Sequence, residues 1–511
     1  MSQSDLAATL TPGQVARRSP PRAFRLLPAL ENNARVVAFA QTLPGRATLA
    51  ASFAALAVLV HKPAAVAATM VVLFPARRRL LVGLASVGMV VVTSRLQELL
   101  KVLGQEEGLT TLAHHRALKP AVLLVALGLL IAYVQLAKTR LPGLLLRWPV
   151  ATLLAINTGL LGLASILPLE GASRLITWAV IGGAGSYIWY VAYSLKDRVD
   201  RCGFSLLKDA SAWRPFWGGT SVPFPKAGAL LQKLEVRTPD EAAVWQLKAL
   251  KLITWALLLA LLRTALVLVA TGSPAHPSAW LPDTVLPLTA QMSFGMSFQV
   301  PSLQNAFALA MAGTPHSAAV NWAALALHLA VDLLDISIFG HVAVAGARMA
   351  GFKALRNTHR PLESRSIADF WNRYYFYFKE LLVDFFFVPT YLRWFKKYPR
   401  LRLFFATFAA AGFGNFLFHW LAEPVDVVTH GFWGSIVARQ TYAFYACLLV
   451  LGIAWSQLRK PSAPKSSPWA RVATTAGVLL FYALLQVPNS APAGSSVSDC
   501  LRFFACLFPQ L

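Results

Sequence analysis

The sequence predicts an all-α, polytopic membrane protein, and three observations carry that prediction. Apolar runs long enough to cross a bilayer, about 20 residues each, recur along the chain. Charged residues make up only 14% of it and hydrophobic residues 56%, whereas soluble proteins are about 25% charged. The 47 Lys and Arg residues outnumber the 22 Asp and Glu and gather at the ends of apolar runs, as in Arg77-Arg78-Arg79, Lys396-Lys397 and Arg459-Lys460. Loops that face anionic lipid on the cytoplasmic side carry charge in this way. A nucleic-acid-binding protein would gather its charge on a soluble domain, so membrane lipid is expected as a partner and nucleic acid is not.

Residues 1–45 are polar and basic, with Arg17, Arg18, Arg22 and Arg25. They have no short apolar core with a small-residue cleavage site, so they do not read as a signal peptide, and their charge predicts a cytoplasmic N-terminus. A first group of transmembrane helices is expected over 46–195, with apolar runs near 47–62, 64–76, 80–95, 120–137, 143–168 and 174–195. Residues 196–248 read as a polar connector. Within it, Arg214 to Pro225 is a loop, because its prolines and glycines cannot continue a helix, and Phe216, Trp217 and Phe224 suit a membrane interface. Thr238-Pro-Asp-Glu241 reads as a capping box, opening a helix in water that runs on into the membrane through Lys251. The second group covers 249–490, with runs near 249–271, 283–300, 317–349, 401–422, 436–457 and 468–487, followed by a tail, 491–511. In all, roughly ten or eleven membrane segments are expected, with re-entrant or interfacial helices beside them. Cys202, Cys447, Cys500 and Cys506 lack metal-ligand spacing, and no metal is expected. Unpaired thiols are the default, with a Cys500–Cys506 pair open if the tail meets an oxidising compartment.

Polar residues inside the apolar runs mark the candidate chemistry. Asp332 and Asp335 are three residues apart and share a helix face. An ionised carboxylate in a bilayer costs several kcal/mol unless paired or wetted. They therefore either pair, with Arg348 or Arg373, or line a substrate path. Ser366-Ile-Ala-Asp369 predicts a helix start, followed by an aromatic-rich helix with Asn372, Arg373, Lys379 and Asp384 as polar points and Pro389 as its end. That composition suits a re-entrant or interfacial helix beside a polar cavity. Asn415, His419 and Glu423 are successively four apart, on one face of a later helix. A His buried among apolar residues favours its neutral form, which can accept a proton, although a lone His in such a helix is often structural.

These residues also form an ordered set. Asp335-Ile-Ser-Ile-Phe-Gly340, Gly351-Phe352, Ser366-Ile-Ala-Asp-Phe-Trp-Asn-Arg373, Asp384 to Pro389 and Phe418-His419 resemble the membrane-bound O-acyltransferase family. The likeness is closest to its bacterial branch of alginate O-acetylases and teichoic-acid D-alanyl transferases, and it covers residues 330–423. It implies that His419 is the membrane-embedded catalytic histidine and Asn372 its partner in catalysis. The departure is Tyr375, which stands where the bacterial pattern has its first histidine. Tyr375, Arg373, Asp335, Asp384 and Asn415 are the expected supporting residues.

The resemblance further implies an enzyme that moves an acyl group, acetyl above all, from a coenzyme A or acyl-carrier thioester to a hydroxyl of a cell-surface polysaccharide. No permanently bound cofactor is needed, partner proteins on the outer face are expected, and the location is the inner membrane of a bacterium. A lipid or wax-type alcohol is the alternative acceptor. A non-catalytic relative and a transporter are the alternatives from other classes, although no inverted repeat of the transporter kind occurs.

Overall fold

The computed structural model describes residues 26–90, 94–139, 148–196, 215–218, 222, 229–277, 281, 284–459 and 467–508. Arg17, Arg18, Arg22, Arg25, Cys202 and Phe224 lie outside them. The described residues form helices and no strands, apart from one isolated bridge between Glu235 and Phe352.

The N-terminal group comprises α1 (Ala34–Gln41), α2 (Leu43–Ala57), α3 (Lys62–Leu73), α4 (Arg78–Val90), α5 (Ser94–Glu106), α6 (Leu118–Thr139), α7 (Pro149–Ile166), α8 (Gly171–Gly185) and α9 (Ile188–Lys196). Helices α8 and α9 meet at a 50° bend. The core group comprises α10 (Pro239–Thr271), α11 (Leu303–Met311), α12 (Ala318–Met349) and α13 (Ile367–Tyr374), then α14 (Phe376–Leu382) and α15 (Val388–Arg393), which flank a π turn (Val383–Phe387). It continues with α16 (Pro399–Thr407), a second π turn (Phe408–Gly414), α17 (Asn415–Leu421), α18 (Pro424–Ala438), α19 (Gln440–Leu458), α20 (Pro468–Asn489) and α21 (Val497–Ala505). Six stretches are long and apolar enough to cross a membrane, or seven if the bent α8–α9 pair is one. Length and composition thus give a membrane-embedded helical protein.

Local chemistry explains the long core helices. Thr238 Oγ1 accepts from Glu241 N at 3.1 Å and Pro239 occupies the first turn, so α10 starts there. It stops at Gly272, whose φ of 84° is open to glycine at low cost. The Glu241 side chain accepts from Arg237 N at 2.8 Å, one residue ahead of the cap. Helices α10 and α12 pack antiparallel, tied at one end by Val236 N donating to Gly351 O at 2.9 Å and Lys353 N to Leu234 O at 2.7 Å. Gly346 on α12 makes room for the connector instead, since a Cβ there would sit 2.7 Å from Trp217 Cβ.

Several sequence expectations are corrected. Of the run expected at 283–300, the described residues 284–300 do not form a span. Pro287 and Gly295 interrupt any helix, and the segment folds back onto the end of α10, with Phe298 N donating to Val269 O at 3.1 Å and Val300 N to Ala270 O at 2.8 Å. The helix from Ser366 does not run unbroken, because Tyr375 leaves helical geometry at φ −137°, ψ 77°. Nor does Pro389 end it. The π turn ahead of the proline shifts the preceding carbonyls off the i−4 position where the ring would clash, and the helix continues to Arg393. Glu423 follows the end of α17 with φ −123° and so leaves the face shared by Asn415 and His419. Phe216 and Trp217 are buried, not interfacial, with Trp217 packed 5.2 Å from the Phe352 ring. Cys447, Cys500 and Cys506 are unpaired.

The two ends of the core bundle differ in charge. Thr475 Oγ1 donates to Ser364 O, Ala368 N to Ser456 Oγ, and Thr407 Oγ1 to Gln457 Oε1, which brings the first half of α20, the end of α19 and the end of α16 to one side. The nearby segments include Lys353, Arg356, Arg360, Arg365, Arg400, Arg402, Arg459 and Arg471. No Lys or Arg occurs between Arg263 and Arg348, an interval that supplies most of the other end.

Candidate active site

A polar cavity of about 450 Å³ opens among α12, α13, α14, α17, α19 and α20. The π turn before α17 inserts extra backbone into the helical repeat, which rotates the following face. Asn415 and His419, one turn apart, point into this cavity. The His419 ring lies 4.7 Å from the ring of Tyr442 and 5.7 Å from that of Phe378, so aromatic surfaces set its plane. Tyr442 Oη donates to Asn415 Oδ1 at 3.0 Å. That bond fixes the Asn415 amide with Nδ2 turned away from Tyr442; Nδ2 is buried and has no acceptor in full hydrogen-bond geometry among the described residues, although the Tyr445 side chain also interacts with this amide. Buried donors are rarely left unmet, so this group stands ready for a ligand atom.

The opposite wall is supplied by α11, α12 and α20. Asp332 is 6% exposed, lines the cavity, and makes no ion pair or hydrogen bond among the described residues. His328 Nε2 is 2.8 Å from Ser490 Oγ, while its Nδ1 and the Oε1 of Gln304 are buried without partners. Gln486 and Asn489 complete this wall. Between the two polar walls stand Phe370, Trp371, Tyr374, Tyr375, Tyr445 and Tyr482, with Phe370 stacked on Tyr482 at 4.0 Å. Arg439 also lines the cavity, its Nε donating to Asp426 Oδ2 at 2.7 Å.

Of the residues singled out by sequence, Asp332, His419, Asn415 and Tyr375 line this cavity, whereas Asn372, Arg373, Asp335 and Asp384 do not. Asn372 is exposed and outside it, because α13 turns Trp371 and Tyr374 inward and leaves the position between them facing away. Arg373 Nε pairs with Asp369 Oδ1 at 2.7 Å and borders a separate basic pocket with Arg365 and Arg471. Asp335 pairs with Arg263 at 2.8 Å, both side chains wholly buried, so neither Arg348 nor Arg373 is its partner. Asp384 Oδ2 accepts from Tyr193 Oη at 3.3 Å and faces a different groove. Tyr442, Tyr445, Gln486, Asn489 and Arg439 were not marked by sequence. Their signal was polar spacing of three along apolar helices, a pattern weaker than a lone histidine.

The site is therefore a chamber with two imidazoles, those of His419 and His328, one unpartnered amide donor, one unpartnered carboxyl and aromatic walls. No group of three or more His, Cys, Asp or Glu suited to a metal ion occurs among the described residues. Neither the family models nor the curated proteins compared with this chain match it.

Proposed function

We propose that this protein is a membrane-embedded O-acyltransferase, which transfers an acyl group, acetyl above all, from a thioester donor to a hydroxyl of a cell-surface polysaccharide. The observation that supports this most is the pairing of His419 with the unpartnered Asn415 amide on one face of α17 inside the polar cavity. The resemblance to the membrane-bound O-acyltransferase family, stated above on its motifs, supports it independently.

In this reading His419 takes the proton of the acceptor hydroxyl as that oxygen attacks the thioester carbonyl. Negative charge moves to the carbonyl oxygen, where Asn415 Nδ2 donates a hydrogen bond. The tetrahedral species collapses, the C–S bond breaks, and the imidazolium returns its proton to the thiolate. Tyr375 contributes surface and a hydroxyl to the chamber. The partner role that the resemblance gives to Asn372 passes here to Asn415, since Asn372 faces out of the cavity. Coenzyme A or an acyl-carrier protein supplies the thioester from the basic, cytoplasmic end. The acceptor enters from the opposite end, past Gln304 and Ser490, with extracytoplasmic partner proteins delivering it. The shorter apolar helices α3 and α7, together with α2 and α4, join the long ones in the bilayer, which brings the membrane segments to roughly ten or eleven, in the inner membrane of a bacterium.

The test is transfer of radiolabel from acetyl-CoA into glycan or lipid fractions by membranes carrying the wild type or His419→Ala at equal protein level. Label in glycan with the wild type alone supports the reading, and label in lipid moves the acceptor to a lipid alcohol. Equal incorporation by both, or none by either, overturns catalysis at His419 and favours a non-catalytic relative.

A further inference from the structure

A second, larger hollow lies on the other side of α17. Its volume is about 1070 Å³, and its walls come from α7, α15, both π turns, α17 and α18. Phe416, Leu417 and Trp420 face it from the same helix that turns Asn415 and His419 toward the polar cavity. Its lining is apolar apart from Thr158, Thr390, Arg393 and Asp384, and the Asp384 carboxylate accepts from Tyr193. Along α7 it extends from Val150 to Gly159, about 14 Å of helix, close to the depth of one leaflet of a ~30 Å hydrocarbon core. Gly159 leaves the hollow open, since a Cβ there would meet nothing within 4 Å.

The polar end of this trough carries one sign of charge. Arg393 and Trp394 line it, and Arg393 lies 3.4 Å over the Trp148 ring. The segment from Arg393 to Arg402 adds Lys396, Lys397 and Arg400, and no Asp or Glu occurs between Asp384 and Glu423. Arg393, Lys396, Lys397 and Arg400 are exposed and form no ion pair among the described residues. Arg400 and Arg402 stand in the first turn of α16, where the helix dipole favours an anion, and no side chain caps that turn. Trp394 and Tyr398, 58% and 64% exposed, mark the level of a membrane interface.

We infer that this trough is a binding site for one anionic glycerophospholipid. An acyl chain lies along α7 against Ala151, Ala155 and Gly159, and the phosphate is held by Arg393 with Lys396 and Lys397. The geometry fits an amphiphile one leaflet deep, and the cations without acidic partners select its charge. The inference does not depend on the acyl-transfer reading, because it uses none of the residues that line the polar cavity.

The full-length protein, delipidated in a mild detergent, is titrated with dioleoyl phosphatidylglycerol or dioleoyl phosphatidylcholine and the bound lipid counted by native mass spectrometry. The expected result is one tightly retained phosphatidylglycerol, held more strongly than phosphatidylcholine. Arg393→Ala with Lys396→Ala weakens its retention roughly ten-fold, while Arg471→Ala, at the separate basic pocket, leaves it unchanged. Gly159→Leu keeps the charges and the helix yet fills the trough, and it also abolishes retention. Equal retention of the two lipids overturns the proposal, as does retention that survives either the double substitution or Gly159→Leu. All variants are first checked for wild-type elution and helicity.

Discussion

Arg263 on α10 donates through Nε to Asp335 Oδ1 on α12 at 2.8 Å, and neither side chain has any exposed surface. The guanidinium is completed by the carbonyls of Pro274 and His276, at 3.4 and 3.1 Å. Such a pair fastens the two longest helices and the loop after α10 at one point. Removing one partner leaves a buried charge alone, so Asp335→Ala should lower stability by about 3–5 kcal/mol. Joint replacement, Arg263→Met with Asp335→Leu, should recover most of that. Thermal unfolding in detergent reads both. A single substitution as mild as the double would show that the ion pair does not tie the helices.

Asn372 and Asn415 separate cleanly. Asn372 is exposed and Asn415 wholly buried in the cavity wall. Asn372→Ala should leave transfer within two-fold of wild type, as an exposed change shifts stability by about 0.5 kcal/mol or less. Asn415→Ala should lower kcat by roughly 10²–10³ with little change in KM, the loss expected of one oxyanion donor. The reverse ordering would return the partner role to Asn372.

Gly414 lies where the two π turns touch. A Cβ there would be 2.6 Å from Phe386 Cγ and 3.0 Å from Ala409 O. Gly414→Ala should therefore destabilise the fold by about 1–3 kcal/mol through overpacking. Adding Phe386→Leu should relieve part of the loss, which a two-by-two thermal comparison measures. No relief would place the strain in the backbone rather than at the ring.

Glu235 binds Arg78 and Arg79 at the basic end, the latter at 3.0 and 3.1 Å. Burial pushes its carboxyl up, but the Arg79 and Arg78 hydrogen bonds outweigh this and hold it below its ordinary value of 4.5. A lowered folded-state pKa means that the unfolded chain binds the proton more readily. The stabilisation is thus full above about pH 4.5 and fades as pH falls through the folded value. The difference in melting temperature between wild type and Glu235→Gln should shrink in that window and stay constant from pH 6 to 8.

The membrane class, the caps at Thr238 and Ser366, and the face shared by Asn415 and His419 were legible in the sequence. Each rests on a short-range rule: apolar length, a hydroxyl accepting from a backbone N–H, a four-residue repeat. The partner of Asp335 was not legible, since Arg263 lies on another helix and nothing local marks the pairing. Asn372 was misplaced for a related reason. Tyr375 breaks the helix there, and only packing decides which side of α13 meets the cavity. The π turns escaped as well, because a single extra residue in a helix leaves the apolar pattern nearly intact.

The stretch without Lys or Arg between Arg263 and Arg348 has a kinetic meaning. Arg439, which lines the polar cavity whose entrance is proposed past Gln304 and Ser490, is tied to Asp426, and Arg502 on α21 faces Asp499 at 3.8 Å. That entrance thus casts almost no long-range field. On the proposed acyl-transfer reading, an anionic acceptor polymer and a neutral one would arrive there at the same unsteered rate, ~10⁵–10⁶ M⁻¹s⁻¹, which added salt hardly alters. Discrimination between them begins only after arrival, at hydrogen-bonding range.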